Sequence, residues 1–156
     1  MNIFILDENP QLSAEYHCDK HCVKMILETA QLLCGAFEKG DAPYKRTHYN
    51  HPCAKWSRES QSNYLWLVDF GKELATEYTK RYGKTHKSLA VISWCGDNFK
   101  SLNLPKNPMT PFALAMPDKY RHLDPVKSYR DYYLGEKSEI AEWKHSKKPT
   151  WFKLKK

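Results

Sequence analysis

The sequence predicts a mainly α-helical protein in one compact domain, residues 1–156, with two long central helices. Apolar residues recur at three- and four-residue spacing over residues 16–37 and 52–82, as they do in helices with one buried face. Strong strand signals are missing beyond residue 6. A chain of 156 residues is long enough to bury a core without disulfides or metals.

The first long helix follows a short apolar segment. Residues 1–6 form either a strand or a buried N-terminal arm, which Asn9-Pro10 interrupts. Ser13 is positioned to cap a helix that begins near residue 14. The expected buried face of this helix consists of Val23, Ile26, Leu27, Ala30, Leu33, Cys34 and Phe37. Gly40 suits a left-handed cap at its end.

The rest of the chain contains further helices and one long loop. Proline is tolerated in a first helical turn, glycine commonly ends a helix, and several prolines together exclude one. The predicted elements are a long helix over residues 52–82 closed by Gly83, a helix within 84–102 that Gly96 and Asp97 can divide, an ordered proline-rich loop over 103–117, and short helices over 124–133 and 136–145.

The charge distribution indicates a polyanionic partner. The net charge is +7, yet residues 1–43 hold seven acids against three bases, and the tail 144–156 has six lysines and no acid. Such a basic region points to nucleic acid before an anionic membrane. In the tail, Trp151, Phe152 and Lys153 form a basic aromatic segment that either binds DNA by stacking on bases or anchors the C-terminus to the core.

The cysteines and the apolar runs indicate the cellular compartment in which we expect the protein. Five cysteines at irregular spacing suggest no disulfide framework, and no signal peptide is recognisable, so we expect a reducing cytoplasm. The longest apolar run, residues 65–68, is too short to span a bilayer.

A polar stripe on the first long helix is the candidate site. At 100° per residue, His17, His21, Lys24 and Glu28 lie within about 60° of one another, nearly opposite the apolar face. These side chains can move protons or contact phosphate. A solvated helix surface would look similar.

A structural zinc site is a second alternative for this helix. His17, Cys18, His21 and Cys22 form two i,i+4 pairs that can chelate a metal. The two pairs are rotated by about 100° from each other, so the four side chains cannot easily meet at one ion. We expect no metal and no cofactor.

Further candidate DNA contacts follow the first helix. The loop 41–53 is dense in basic and aromatic residues, and such residues contact phosphate and sugar. The candidates are Lys45, Arg46, His48 and His51, with Lys55 and Arg58 on the helix that follows.

The order of these motifs resembles the endonuclease V-type pyrimidine-dimer DNA glycosylases of phages and bacteria. In this family a histidine lies seven residues before the catalytic glutamate, as His21 lies before Glu28. The segments HCVKMILE (21–28), NHPCAKWSRE (50–59) and KPTWFK (148–153) match family motifs in order. Together the matching regions cover about half of the chain.

The resemblance implies a DNA substrate and amine chemistry. In the family, an amine attacks sugar C1′, displaces the base and leaves an imine, while the carboxylate stabilises the sugar cation and assists the proton transfers that break the strand. Glu28 would be that carboxylate, and His21 a phosphate or proton-transfer partner. The bacterial or phage-infected host cytoplasm would be the setting.

The identity of the amine stays open between two groups. The type enzyme uses the α-amine of a threonine exposed by methionine removal, but position 2 here is the larger Asn2, so we expect Met1 to be retained. Met1 or Lys24 is then the nucleophile. An amine attacks only when unprotonated, and an α-amino group, with a reference pKa of roughly 7.7–8, is better suited than a lysine at about 10.4.

Two arginines that flank the glutamate in the family are absent here. Leu27 and Gln31 stand in their positions. Phosphate contacts are therefore expected from Lys45, Arg46, Arg58 or the tail.

Two other functions remain open. One is a same-scaffold enzyme that acts on a nucleotide or modified base by transfer or hydrolysis, with His21, His48 and His51 as acid–base groups. The other is a non-enzymatic viral module that binds nucleic acid or protein.

Overall fold

A computed structural model describes residues 1–153 of the chain. This part of the chain contains no strand, and the mainly α prediction is confirmed. Its six α-helices are α1 (Pro10–Tyr16), α2 (Asp19–Cys34), α3 (Pro52–Ser57), α4 (Gln61–Tyr82), α5 (Leu89–Asn98) and α6 (Pro125–Glu136), with short 3₁₀ helices at Phe99–Leu102 and Asp118–Tyr120. Across these described residues, no helix is long and apolar enough to cross a membrane.

The prediction of one helix from residue 14 to Gly40 is wrong, because the structure has two helices, α1 and α2, in this region. Asn9 caps α1 by accepting a hydrogen bond from Leu12 N, so Ser13 is not the cap. His17 ends α1 with extended backbone, and α2 ends at Cys34. A distant arginine, Arg81, donates to the carbonyl of His17 at 2.8 Å, so tertiary contacts stabilise a break that carries no local glycine or proline.

The second predicted helix is also divided. α3 ends at Ser57, and Ser60 caps α4 by accepting a 3.0 Å hydrogen bond from Asn63 N. The predicted end at Gly83 is confirmed, because Gly83 adopts a left-handed φ of 70°, where glycine carries no steric cost.

The later elements follow the prediction in part. Gly96 does not divide α5. A Cβ added at Gly96 would lie 3.0 Å from Val68 Cγ1, so glycine lets α5 pack closely on α4. The loop 103–117 contains no helix, as predicted, and α6 begins after Asp124, whose carboxylate caps it. The helix expected over 136–145 does not form; α6 ends at Glu136 and turns follow.

The two faces of α2 are not arranged as predicted. Val23 and Leu27 are 39% and 41% exposed, whereas His17 is fully buried, His21 is 5% exposed and Glu28 is 7% exposed. The cause is the N-terminal arm. Residues 3–6 are buried without forming a strand, and the arm covers the side of α2 that the pattern marked as polar.

Candidate active site

The N-terminal arm brings the first main-chain nitrogens to Glu28. The amino group of Met1 lies 3.5 Å from Glu28 Oε1, and the main-chain nitrogen of Asn2 donates to the same oxygen at 3.1 Å. The Met1 side chain is 4% exposed and that of Glu28 10%. Asn2 also donates from Nδ2 to the carbonyl of Ala115 at 2.8 Å. Main-chain geometry and packing therefore hold an amine beside a carboxylate that is mostly buried.

The second candidate amine is differently placed. Lys24 Nζ lies 3.8 Å from Glu28 Oε2, one helical turn away, and its side chain is 71% exposed. The two amines thus approach different oxygens of Glu28. The Met1 side chain is packed against the core, whereas the Lys24 side chain extends into solvent.

His21 packs against the N-terminal arm. Its ring stacks on Phe4 with centroids 4.4 Å apart, and its Nδ1 lies 2.6 Å from the hydroxyl of Tyr133. Burial, with added repulsion from nearby His17, Lys137 and Lys24, lowers the pKa of His21 to about 3. His21 is therefore a neutral imidazole at neutral pH, able to exchange hydrogen bonds but not to attract phosphate by charge.

His17 is buried behind the same arm. Its Nδ1 lies 2.6 Å from the carbonyl of Ser13, and its Nε2 lies 3.4 Å from the carbonyl of Ile3. These carbonyls favour the protonated ring, but burial outweighs them and lowers the pKa of His17 to about 4. His17 therefore acts in packing.

The four side chains of the zinc alternative do not converge. Within residues 1–153, no group of three or more His, Cys, Asp and Glu side chains could hold a metal ion. Cys18 Sγ accepts a hydrogen bond from the Tyr133 hydroxyl, while Cys22 is buried with a pKa raised to about 12 by burial.

His51 borders the paired amine and carboxylate. It caps α3 by accepting a 3.0 Å hydrogen bond from Cys53 N at its Nδ1. Burial, the positive N-terminus and His48 lower the pKa of His51, and Glu28 acts in the opposite direction. His51 thus lies within electrostatic range of both Met1 and Glu28. His48 is exposed, with a left-handed φ of 52°.

Two of the predicted DNA contacts meet at an aromatic ring that the sequence did not single out. The guanidinium carbon of Arg46 lies 4.3 Å from the centre of the Tyr49 ring, and that of Arg58 lies 3.7 Å from it. Lys45 and Lys55 are exposed on either side of this cluster in the sequence. The structure therefore groups the basic residues of loop 41–53 with the end of α3.

A family model described as pyrimidine dimer DNA glycosylase matches residues 1–90, which hold the arm, Glu28 and the Arg46–Tyr49–Arg58 cluster. The chain belongs to the pyrimidine dimer DNA glycosylase family. A search of curated proteins and a search of solved structures each found no match. Membership makes this chain a DNA glycosylase at family level, with DNA as its substrate.

The tail of this glycosylase lies beyond the matched residues and packs on the core as far as it is described. Phe152 is 3% exposed, and its ring lies 4.8 Å from that of Trp143. Trp151 is half-buried against Tyr16 and Tyr133. These contacts favour the anchoring alternative. Lys153 is exposed, and the remaining tail residues of the prediction, 154–156, lie outside the described part.

Sequence reasoning missed the residues that assemble the glycosylase site. Asn2, Phe4 and Tyr133 had no signal in the sequence, because their contacts with α2 span 26 to 115 residues or depend on ring stacking. Tyr49 could have been found, since it lies in a loop already marked by arginine and histidine.

Proposed function

We propose that this family member removes a damaged or modified pyrimidine base from DNA by amine attack, and then cleaves the strand as an AP lyase. The observation that supports this proposal is the 3.5 Å separation of the Met1 amine from Oε1 of Glu28, a carboxylate that is only 7% exposed. A carboxylate stabilises positive charge on a sugar best where water is excluded. An amine and a carboxylate held this close by the fold need little rearrangement once the amine has given up its proton.

The reaction forms a bond between the Met1 nitrogen and sugar C1′ while the glycosidic bond breaks. The base leaves with the electron pair of that bond and takes up a proton. Opening of the sugar ring, with a proton passing to O4′, gives an imine between C1′ and the protein nitrogen. Loss of a C2′ proton then expels the 3′ phosphate and breaks the strand. Glu28 stabilises the sugar cation and relays these protons.

Met1 is the better nucleophile candidate of the two. Its amine is closer to Glu28 than that of Lys24, 3.5 Å against 3.8 Å, and the Met1 side chain is packed at 4% exposure, where that of Lys24 is 71% exposed. Lys24 then stands on the open side of the carboxylate, where we place the incoming nucleotide, and its charge faces the phosphates. If Met1 were removed, the nitrogen of Asn2 would become the terminal amine, and it already contacts Glu28.

His21 has a positioning role in this account. The neutral ring of His21 stacks on Phe4, and Phe4 is part of the arm that holds Met1 at Glu28. His51, which lies near the amine, and the exposed His48 are proposed to contact DNA. The other proposed backbone contacts are Lys45, Arg46, Lys55, Arg58 and Lys153, whereas Trp151 is assigned to anchoring the C-terminus.

The test is borohydride trapping of the purified protein on ultraviolet-irradiated and abasic duplex DNA. Reduction converts an imine into a stable covalent adduct, which mass spectrometry detects. Wild-type protein should give an adduct, Glu28→Gln should give little, and Lys24→Ala should still give it. If neither substrate yields an adduct or a released base, the amine mechanism is wrong, although the DNA-binding surface could still be measured separately.

A further inference from the structure

The loop between α2 and α3 borders an open basic cavity that the glycosylase chemistry does not use. This cavity of about 420 Å³ is lined by Lys39, Gly40, Lys45 and Arg46. Three of these four residues are cations and none is an acid. Such a lining attracts an anion, because three neighbouring positive charges reinforce one another in a concave site.

Arg46 is the fixed member of this lining. Its Nε donates to the carbonyl of Gly35 at 3.0 Å, and its Nη2 donates to the carbonyl of Phe37. Within residues 1–153, Nη1 makes no further hydrogen bond and no carboxylate pairs with the guanidinium. Two main-chain anchors therefore hold a guanidinium that still has donors to offer.

Tyr49 links this arginine to a second one. Its ring is 39% exposed and contacts the guanidinium groups of both Arg46 and Arg58, at 4.3 Å and 3.7 Å. Guanidinium groups stack favourably on aromatic rings. Because neither arginine is paired with a carboxylate in the described part of the chain, the ring restrains two like charges without neutralising them.

The cavity lies a short distance from the amine–carboxylate pair. Gly35, which anchors Arg46, is seven residues beyond Glu28, or roughly 10 Å along a helix axis at 1.5 Å per residue. This length corresponds to about three nucleotides of one B-form strand, at 3.4 Å each. His51, at the end of the same loop, lies close enough to the N-terminus for the positive amine to lower its pKa.

We propose that the cavity of Lys39, Lys45 and Arg46 binds a backbone phosphate of the DNA strand whose target nucleotide lies at Glu28. Tyr49 is the positioning residue that holds Arg46 and Arg58 in place for this strand. The inference rests on the proposed function and adds to it a subsite and two residues, Lys39 and Tyr49. A phosphate presents several acceptor oxygens in one small group, which suits a guanidinium fork flanked by two ammonium groups. The same chemistry would accept the phosphate of a free nucleotide.

The experiment measures binding without chemistry. The full chain is titrated onto a fluorescent duplex that carries a non-cleavable tetrahydrofuran abasic analogue, and anisotropy is recorded over a range of salt concentrations. Each phosphate contact contributes about 0.9 to the slope of log affinity against log salt. The double variant Lys39→Ala/Lys45→Ala should therefore reduce the slope by about 1 to 2, while Lys80→Ala, which removes an exposed lysine of α4, should leave it unchanged.

The role of Tyr49 has its own matched pair. Tyr49→Ala should weaken duplex binding roughly tenfold, because the two arginine side chains it releases must be ordered again on binding, and should leave the salt slope unchanged because both charges remain. Tyr49→Phe keeps the ring and should bind like the wild type. Equal affinity of Tyr49→Ala and wild-type protein would overturn the positioning role.

A titration with thymidine 5′-monophosphate distinguishes the source of the phosphate. If the double variant loses nucleotide binding but keeps the duplex salt slope, the cavity serves a free nucleotide and the strand assignment is wrong. An unchanged slope with no nucleotide binding overturns the subsite altogether. Because the duplex cannot be cleaved, these outcomes are independent of whether the trapping experiment succeeds.

Discussion

The rings of Phe4 and His21 stack with centroids 4.4 Å apart and an interplanar angle of 23°. Phe4 adopts a left-handed φ of 60°, a region that a bulky side chain rarely occupies. The arm accepts this strained backbone because the ring is 4% exposed between His21 on α2 and Tyr129 and Tyr133 on α6. The packing of Phe4 thus fixes the path by which Met1 reaches Glu28.

Replacing Phe4 tests this connection. Phe4→Ala should lower the free energy of unfolding by about 3–5 kcal/mol, the usual cost of deleting a buried phenyl ring. Borohydride trapping should fall even in buffer where the variant is fully folded, because the amine is no longer held at the carboxylate. Urea unfolding and adduct yield are the two measurements. Phe4→Leu, which keeps most of the volume, should lose less of both, and undiminished trapping by folded Phe4→Ala would contradict the role of the arm.

The buried histidines make the fold sensitive to acid. The pKa of His17 is lowered to about 4 by burial, while an unfolded histidine titrates near 6.5. Below pH 6.5, His17 therefore binds a proton in the unfolded chain but not in the folded chain. The free energy of unfolding decreases as the pH falls towards 4. The loss from His17 is on the order of 3 kcal/mol.

Urea unfolding at pH 7 and pH 4.5 measures this loss. In His17→Gln the difference between the two pH values should be smaller than in the wild type by about 2–3 kcal/mol, whatever the absolute stability of the variant. His145 is exposed, so His145→Gln should keep the wild-type difference. An identical pH difference in His17→Gln and wild-type protein would disprove the assignment of this acid sensitivity.

Arg81 joins α4 to the break between α1 and α2. It donates to the carbonyls of His17 and Glu15 and to the carboxylates of Glu77 and Asp19, at 2.8 to 3.2 Å, with its side chain fully buried. Arg81→Met leaves the buried Glu77 and the partly exposed Asp19 without their cation and should cost about 3–5 kcal/mol of unfolding free energy. Denaturation by urea at pH 7 provides the value.

The matched control for this substitution is a surface arginine. Arg121 is half-exposed and pairs with the exposed Asp118, and such pairs contribute about 0–1 kcal/mol. Arg121→Met should therefore change stability little. Equal costs for the Arg81 and Arg121 variants would show that the buried network does not stabilise the helix break.

Glu28→Gln should separate chemistry from binding. The amide keeps the shape of the side chain and can still accept the hydrogen bond of Asn2, but it has no charge with which to stabilise a sugar cation. We expect base release to fall by about 10²–10⁴-fold, the range attributed to a positioned proton-transfer group, with affinity for the tetrahydrofuran duplex within about twofold of the wild type. Glu139→Gln, at an exposed carboxylate, serves as the control. A parallel loss of affinity would mean that Glu28 binds DNA or holds the arm instead.

The sequence predicted a helix boundary correctly where a capping residue or a proline lies at that boundary. Gly83 closes α4, and Asp124-Pro125 begins α6, as the sequence indicates. Ser60 was missed although serine is a common cap, because the apolar pattern continues across it. The break at His17 has no such residue; it is stabilised by Arg81, 64 residues away.

The candidate site was predicted through the spacing of Lys24 and Glu28 on one helix face. Their arrangement depends on helical periodicity alone, which the sequence displays. Burial of His17 and His21 could not be predicted, because it depends on where the arm and α6 pack. The same packing brings the Met1 amine to Glu28. The family resemblance had left this amine as one of two candidate nucleophiles.

The most direct test of the central claim is the position of the trapped DNA on the protein. Wild-type protein is reduced with borohydride on abasic duplex, the DNA is digested, and the modified peptide is sequenced by mass spectrometry. We predict a mass increase on the N-terminal amine, and retention of the adduct in Lys24→Ala. An adduct on Lys24, or one lost in Lys24→Ala, would contradict the assignment of the N-terminal amine as the nucleophile.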